Sequence, residues 1–174
     1  MSLFRNRIIR AAKLDVQLYE EVEADQSATG QAMTVVILSG AAAGIGSAAA
    51  FNLTNFLIGT IAALVAWYVW AFLTYFIGTR LLAEPQTRAD HRELMRTIGF
   101  SSAPGLIRVF GIIPGLRDLL FLVAGIWMLV AMVIAVRQAL DYTSTGRAIG
   151  VCVIGWVFQI IILLLAVSIM SPGA

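Results

Sequence analysis

Gly40, Gly44 and Gly46, inside "LSGAAAGIGSAAAF" at 38–51, stand as G-x-x-x-G-x-G, the spacing of the nucleotide turn of short-chain dehydrogenases. Such a turn needs a strand before it and a helix after it. Its chemistry also needs a Tyr-x-x-x-Lys pair to move a proton. Here an apolar run surrounds the glycines on both sides, and the only lysine, Lys13, precedes them. No Tyr-x-x-x-Lys exists, and no G-x-x-x-x-G-K-[ST] phosphate loop. The nucleotide reading therefore fails. A second reading survives: Gly40 and Gly44, with Ser47 and Ala48, recur at three- and four-residue spacing. On a membrane helix they make a G-x-x-x-G groove where another backbone packs closely. That groove serves either the chain's own bundle or an interface with a partner.

The other groups that could react are isolated. Cys152 is the only cysteine and His91 the only histidine, so neither an intrachain disulfide nor a Cys/His zinc set is expected. Glu20, Glu21, Glu23 and Asp25 lie together in "YEEVEAD", without a partnered base or nucleophile, so acid–base catalysis lacks its second member. They suit a docking surface, or the entry of a helix whose positive end favours carboxylates. Asp25 or Ser27 is placed to cap that helix. We expect no catalytic residue, no metal site and no cofactor. A net charge of +2, with no arginines interleaved with aromatics, gives no reason to expect nucleic acid.

The elements that position these residues follow from composition. Hydrophobic residues make up 60% of the 174, charged residues 13%, and the mean hydropathy is +0.88. A water-soluble domain carries about 25% charged residues, so this chain cannot cover a water-facing surface. Crossing a bilayer takes about 20 mainly apolar residues as helix. Four runs meet this, 31–51, 57–79, 118–140 and 148–170. A fifth, 94–114, is interrupted by Arg96, Pro104, Arg108 and Pro114; it reads as a span, or as a re-entrant segment.

Positive charge arbitrates, because cytoplasmic loops gather Lys and Arg. With five spans, ten of the twelve basic residues fall on one side, Arg117 falls on the other, and Arg108 lies within a span. The expectation is an all-α polytopic bundle of five transmembrane helices, N-terminus in the cytoplasm and C-terminus outside. Residues 1–30 form a cytoplasmic segment, and 31–174 the membrane domain. Within the former, 2–25 reads as one interfacial amphipathic helix with Phe4, Ile8, Ala11, Leu18 and Val22 near one face. Arg7 and Asp15 intrude on that face. The first half of the segment is basic and the second acidic.

Several charges then gain a location. Arg88, Arg92 and Arg96, four apart, would form a cytoplasmic ridge suited to anionic headgroups. Arg137 and Asp141 can pair across the last turn of the fourth span. Arg108, counted from Leu94, reaches the outer third of the membrane. An intramembrane charge is a functional candidate; alternatives are snorkelling outward or pairing with Asp118. Pro104 and Pro114 disturb the same helix. Trp67 and Trp70 lie deep for interface anchors, which implies packing between helices.

"YEEVEAD…ATGQA" before the first span resembles the Yip family, the Ypt/Rab-interacting membrane proteins, in its bacterial branch. So do "RTIGFSSAPGL…IP" across the third and "IWMLVAMVIAVRQALDYTSTGRAI" from the fourth into the fifth. The resemblance implies five spans, a cytoplasmic N-terminus, a bacterial inner-membrane location with a periplasmic C-terminus, and no enzymatic activity. Eukaryotic relatives associate with Rab GTPases and with one another. This chain has about 30 residues before its first span and lacks their Leu-Tyr-Gly-Pro type motif, so that role is not carried over. The expected function is a non-enzymatic scaffold or accessory subunit that organises membrane proteins or lipids. Its partners would be membrane lipids, and other membrane proteins or a second copy. The alternative is a small transporter, channel or lipid-handling protein using Arg108 and the Pro-broken third span.

Overall fold

The computed structural model describes residues 3–47 and 53–170, without the side chains of Asn55 and 163–170. Among the described residues every regular element is a helix: α1 (Leu3–Ala12), α2 (Val16–Ala24), α3 (Ala28–Ser47), α4 (Leu53–Phe76), α5 (His91–Phe100), α6 (Arg117–Ala139) and α7 (Thr145–Met170). A π turn, Ile77–Leu81, extends α4, and a 3₁₀ segment, Ala103–Ile112, follows α5. Among the described residues, four stretches are long and apolar enough to cross a membrane: Ala28–Ser47, Phe56–Leu81, Arg117–Ala139 and Thr145–Ile162. They correspond to the four unambiguous runs of the sequence. Their outward side chains, such as Ile58, Ile61, Leu122 and Trp156, are more than half exposed, as lipid contact requires.

The expected fifth span is not one helix. Asp90 starts α5, its amide donating to Glu93 Oε2 at 2.7 Å. The helix ends at Phe100, and the chain turns through Ser101 and Ser102. Pro104 then stands in the first turn of the 3₁₀ segment, where its missing N–H costs nothing. A 3₁₀ run of ten residues is long. It is packed against α3, and the match is stepwise. A Cβ on Gly99 would lie 2.7 Å from the Ala32 Cβ, one on Gly105 would strike Ser39 Oγ, and one on Gly111 would lie 2.8 Å from the Gly46 carbonyl oxygen. Both sequences advance together, so 99–111 runs parallel to α3 from Ala32 to Gly46, about 21 Å at 1.5 Å per residue.

Contacts of the other helices complete the path. Gly40 faces Ala63 and Trp67 Nε1 donates to the Met95 carbonyl at 3.1 Å, so α4 returns beside α3. Helix α6 begins with Phe121 beside Gly46 and Gly111. It passes Trp70, whose Nε1 donates to Met132 Sδ at 3.3 Å, and ends with Gln138 on Glu20. Helix α7 starts beside Leu82 at Gly150 and meets Trp70 at Gly155.

The expected single N-terminal helix is likewise divided. Leu14 adopts φ 61°, and the Asp15 amide reaches back to the Arg10 carbonyl at 3.1 Å, which closes α1 in a left-handed turn. Asp15 then caps α2 by accepting from the Gln17 amide at 3.0 Å. The result is a hairpin whose halves carry opposite charge. Arg7 Nε lies 2.8 Å from Glu21 and its Nη2 2.8 Å from Asp25. Arg10 meets Asp15 at 2.7 Å and Glu21 at 2.5 Å. Ala11, Leu18 and Val22 are fully buried against the bundle. The apolar face assigned from sequence thus packs on protein, and the intruding Arg7 is buried by its two carboxylates.

Glycine substitutions separate packing from lipid exposure. A Cβ at Gly46 would land on the Arg108 carbonyl, whereas one at Gly44 meets nothing within 4 Å. We expect Gly46→Ala to cost about 1–3 kcal/mol or more, as overpacking does. Gly44→Ala should change stability by less than about 0.5 kcal/mol. Thermal unfolding in detergent reads both; equal melting temperatures would refute the packing described.

Candidate functional site

The 3₁₀ geometry decides where Arg108 points. At three residues per turn, positions i, i+3 and i+6 eclipse, so Gly105, Arg108 and Gly111 form one ridge facing α3. The two glycines let the backbones approach, and Arg108 lies between them. Its carbonyl touches Gly46, yet its guanidinium reaches back to Ser39: Nη2 donates to Ser39 Oγ at 2.8 Å and to the Ser39 carbonyl at 3.2 Å. Nε donates to the Gly105 carbonyl at 3.0 Å, and the Phe121 ring centroid lies 5.9 Å from Cζ. From Gly46 to Ser39 is about 10 Å of helix. The side chain therefore dips toward the middle of α3. It neither snorkels outward nor meets Asp118, and among the described residues it has no carboxylate partner.

Arg108 and Ser39 line a cavity of about 910 Å³ between α3, α4, α6 and α7. Trp67, Trp70, Met128 and Met132 form apolar walls, and Ser102 and Gln159 add polar groups. Gln159 Oε1 is buried without a hydrogen bond. Leu129, Val153 and Trp156 lie on the rim and are 56%, 57% and 61% exposed, so the cavity opens sideways toward lipid. Chemically, the site offers hydrogen-bond donors and one positive charge inside an apolar enclosure.

Of the four small residues assigned to a groove, Gly40 lines this cavity, while Gly44 and Ser47 face outward, the Ser47 hydroxyl donating to the Gly44 carbonyl. Ala48 lies outside the described residues. The closest backbone contact belongs instead to Gly46, with Gly99, Gly105 and Gly111 opposite. The signal for it was available: Ala32, Ser39 and Gly46 recur every seven residues, and the three glycines every six.

The remaining assigned charges lie at the opposite end of α3, and most are engaged internally. Arg96 leaves the expected ridge: it is buried, donating from Nε to the Val22 carbonyl at 2.9 Å and from Nη2 to that of Glu23. These are the free carbonyls at the end of α2, where a cation is favourable. Arg88 falls in the loop before α5, and Arg92 is exposed. Arg137 does not pair with Asp141. Asp141 adopts φ 52° after α6 ends, which carries it off the helical register. Arg137 binds the carbonyls of Tyr142 and Thr143 and the Thr145 hydroxyl instead. Glu84, whose carboxyl is held below the usual range by the Thr143 amide and hydroxyl, ties the 82–90 loop to this turn and to Arg147. Tyr142 adds a 2.8 Å bond to the Gly78 carbonyl in the π turn. A second cavity of about 620 Å³ opens here, lined by Glu20, Glu23, Glu93, Arg137 and Asp141. The sequence-assigned acids are thus split: Glu21 and Asp25 close the hairpin, while Glu20 and Glu23 line this cleft.

Apolar helices around a lateral cavity and a half-buried arginine define an integral membrane helix bundle. The Yip1 domain matches residues 17–167, nearly the whole chain, and the chain belongs to that family. The family is not known as enzymatic. Comparison with curated proteins and with solved structures gives no match.

Glu23 gives the cleft a pH response. Burial, and then the charges of Glu93 and Asp141, push its carboxyl up to about 7. The folded state therefore holds a proton that the unfolded chain releases near pH 4.5, so stability falls as pH rises from 4.5 to 7. Glu23→Gln removes the ionisation. Melting temperature at pH 8 should rise by about 2–4 °C, with little change at pH 5. An equal shift at both pH values would contradict this assignment.

Proposed function

We propose that this chain is a non-enzymatic, five-pass membrane protein that organises lipids and neighbouring membrane proteins through contacts made within the bilayer. One observation carries the reading. A cavity of about 910 Å³ opens sideways between apolar helices, while several charges at the other end of α3 are engaged within the chain by carboxylates or backbone carbonyls. The apolar surface left for partners therefore faces lipid. The parallel course of 99–111 beside α3 supports counting that stretch as a third, broken pass. So does the gathering of the α1–α2 hairpin, the 82–90 loop and the α6–α7 turn at one end of the bundle. With the basic residues, these features favour a cytoplasmic N-terminus, a periplasmic C-terminus and the inner membrane of a bacterium.

Gly44 and Ser47, outward and unobstructed, supply the helix-packing face for another protein or a second copy. Arg92 and Arg88 remain at the cytoplasmic end for anionic headgroups. The transport reading draws on a different observation, the inward dip of Arg108 beside a broken pass. Neutral replacement of Arg108 that leaves solute handling unchanged would dismiss it.

A phosphatase fused after Ala174 should be active, and the same enzyme inserted in 82–90 inactive. Cytoplasmic placement of Ala174 would sink the five-pass reading. Mild detergent extraction followed by mass spectrometry should recover a membrane-protein partner at fixed stoichiometry. Gly44→Leu should remove that partner without changing the melting temperature. A lone monomer under several mild conditions would count against partner organisation.

A further inference from the structure

The cavity's polar groups are incompletely paired, and their chemistry selects what would complete them. Arg108 uses Nε and Nη2 within the chain; among the described residues its Nη1 has no hydrogen bond, and no carboxylate balances its charge. The Ser102 hydroxyl, also on the cavity wall, has no hydrogen bond among the described residues. Both call for an anionic acceptor. Gln159 Oε1, buried and unpaired, calls for a donor. The rest of the lining is apolar and aromatic, the volume of about 910 Å³ is at the upper end for a ligand site, and the rim faces the bilayer.

We propose that the cavity binds one anionic phospholipid whose headgroup carries free hydroxyls, such as a phosphatidylglycerol. This deepens the organising role above by naming the lipid class. Its phosphate accepts charge-assisted hydrogen bonds from Arg108 Nη1 and a further one from the Ser102 hydroxyl. A headgroup hydroxyl donates to Gln159. An acyl chain enters between Leu129, Val153 and Trp156 and lies along Trp67, Trp70 and Met132. A water-soluble anion would satisfy the arginine but leave the apolar walls uncovered. A fatty-acid carboxylate would offer no donor to Gln159. The guanidinium lies about 17 Å into α3, counting from Ala28 to Ser39, so the bound headgroup is drawn well below the surface of its leaflet.

The test uses the full chain in nanodiscs, carrying Trp127→Phe so that the remaining tryptophans, Trp67, Trp70 and Trp156, all line the cavity. Phosphatidylglycerol brominated on its acyl chains should quench their fluorescence at a mole fraction at least about fivefold lower than brominated phosphatidylcholine does. Brominated phosphatidic acid, which lacks the headgroup hydroxyls, should fall between. Arg108→Gln should abolish the preference and Arg108→Lys should restore part of it. Gln159→Leu should abolish only the advantage of phosphatidylglycerol over phosphatidic acid. Should Arg108→Gln fail to fold, Ser102→Ala and Gln159→Leu carry the test, and both must weaken the preference. Equal quenching by all three lipids overturns the proposal, as does a preference that survives in every variant that folds. Release of the lipid by millimolar inorganic phosphate overturns it too, by assigning the site to a soluble anion. Lipid preference without a protein partner upholds this inference and rejects partner organisation. A stoichiometric partner without lipid preference does the reverse.

Discussion

The close approach of α3 to the 99–111 stretch is the constraint on which the rest of the bundle depends. Lipid offers no hydrophobic gain for bringing two apolar helices together, so association relies on close packing and on polar bonds between them. Three glycines on one strand of this contact meet Ala32, Ser39 and Gly46 on the other. The pairing is tight enough that Gly46 touches main chain at Arg108. Everything downstream inherits that geometry. Helix α6 starts where the contact ends, at Phe121. The cavity exists because α4, α6 and α7 must surround this pair without entering it.

The 3₁₀ pitch is what makes the contact regular. Six residues of 3₁₀ helix rise about 12 Å, close to the roughly 10.5 Å of seven residues in α3. The two repeats therefore stay in step from Gly105 to Gly111. An α-helical 105–111 would turn Gly111 well away from Gly105, leaving one of them off the interface. Pro104 helps by ending the preceding α-helix and starting the tighter one with a residue that needs no donor. The break after Phe100 and the continuous interface with α3 are thus the same feature.

This also explains what the sequence could and could not disclose. The four long helices were legible because each is apolar for about twenty residues, and nothing but lipid tolerates that. The 94–114 stretch was legible as an interruption, at Pro104 and Arg108, but not as a 3₁₀ segment, because that conformation goes with its packing on α3 and not with local preference. Counting 94–114 as α-helix placed Arg108 in the outer third of the bilayer, whereas its guanidinium lies back at Ser39. The N-terminal hairpin was half legible: the division into basic and acidic halves was visible. The fold-back that pairs Arg7 and Arg10 with Glu21 required Leu14 in a left-handed conformation, which leucine rarely signals. Arg96 was misassigned for a related reason. Four-residue spacing puts it in line with Arg88 and Arg92, but the end of α2 presents free carbonyls that only the folded bundle brings near it.

The arginines then divide by a single physical rule. A guanidinium has five N–H donors and no acceptor, and each one placed away from water must find oxygens. Arg7 finds two carboxylates and Gln31; Arg96 and Arg137 find carbonyls at helix ends. Those oxygens are abundant where helices terminate. Arg108 sits in mid-helix surroundings, where nearly every carbonyl is already bonded within its own helix. It obtains the Gly105 carbonyl because 3₁₀ bonding is looser there, and Ser39 because a serine hydroxyl is one of the few free acceptors α3 can offer. Its remaining donors face a cavity walled by hydrocarbon and indole. In such surroundings an oxygen-bearing group entering from outside the chain would satisfy the donors left over. The lateral opening beside Trp156 is the route by which the polar end of a lipid can supply it.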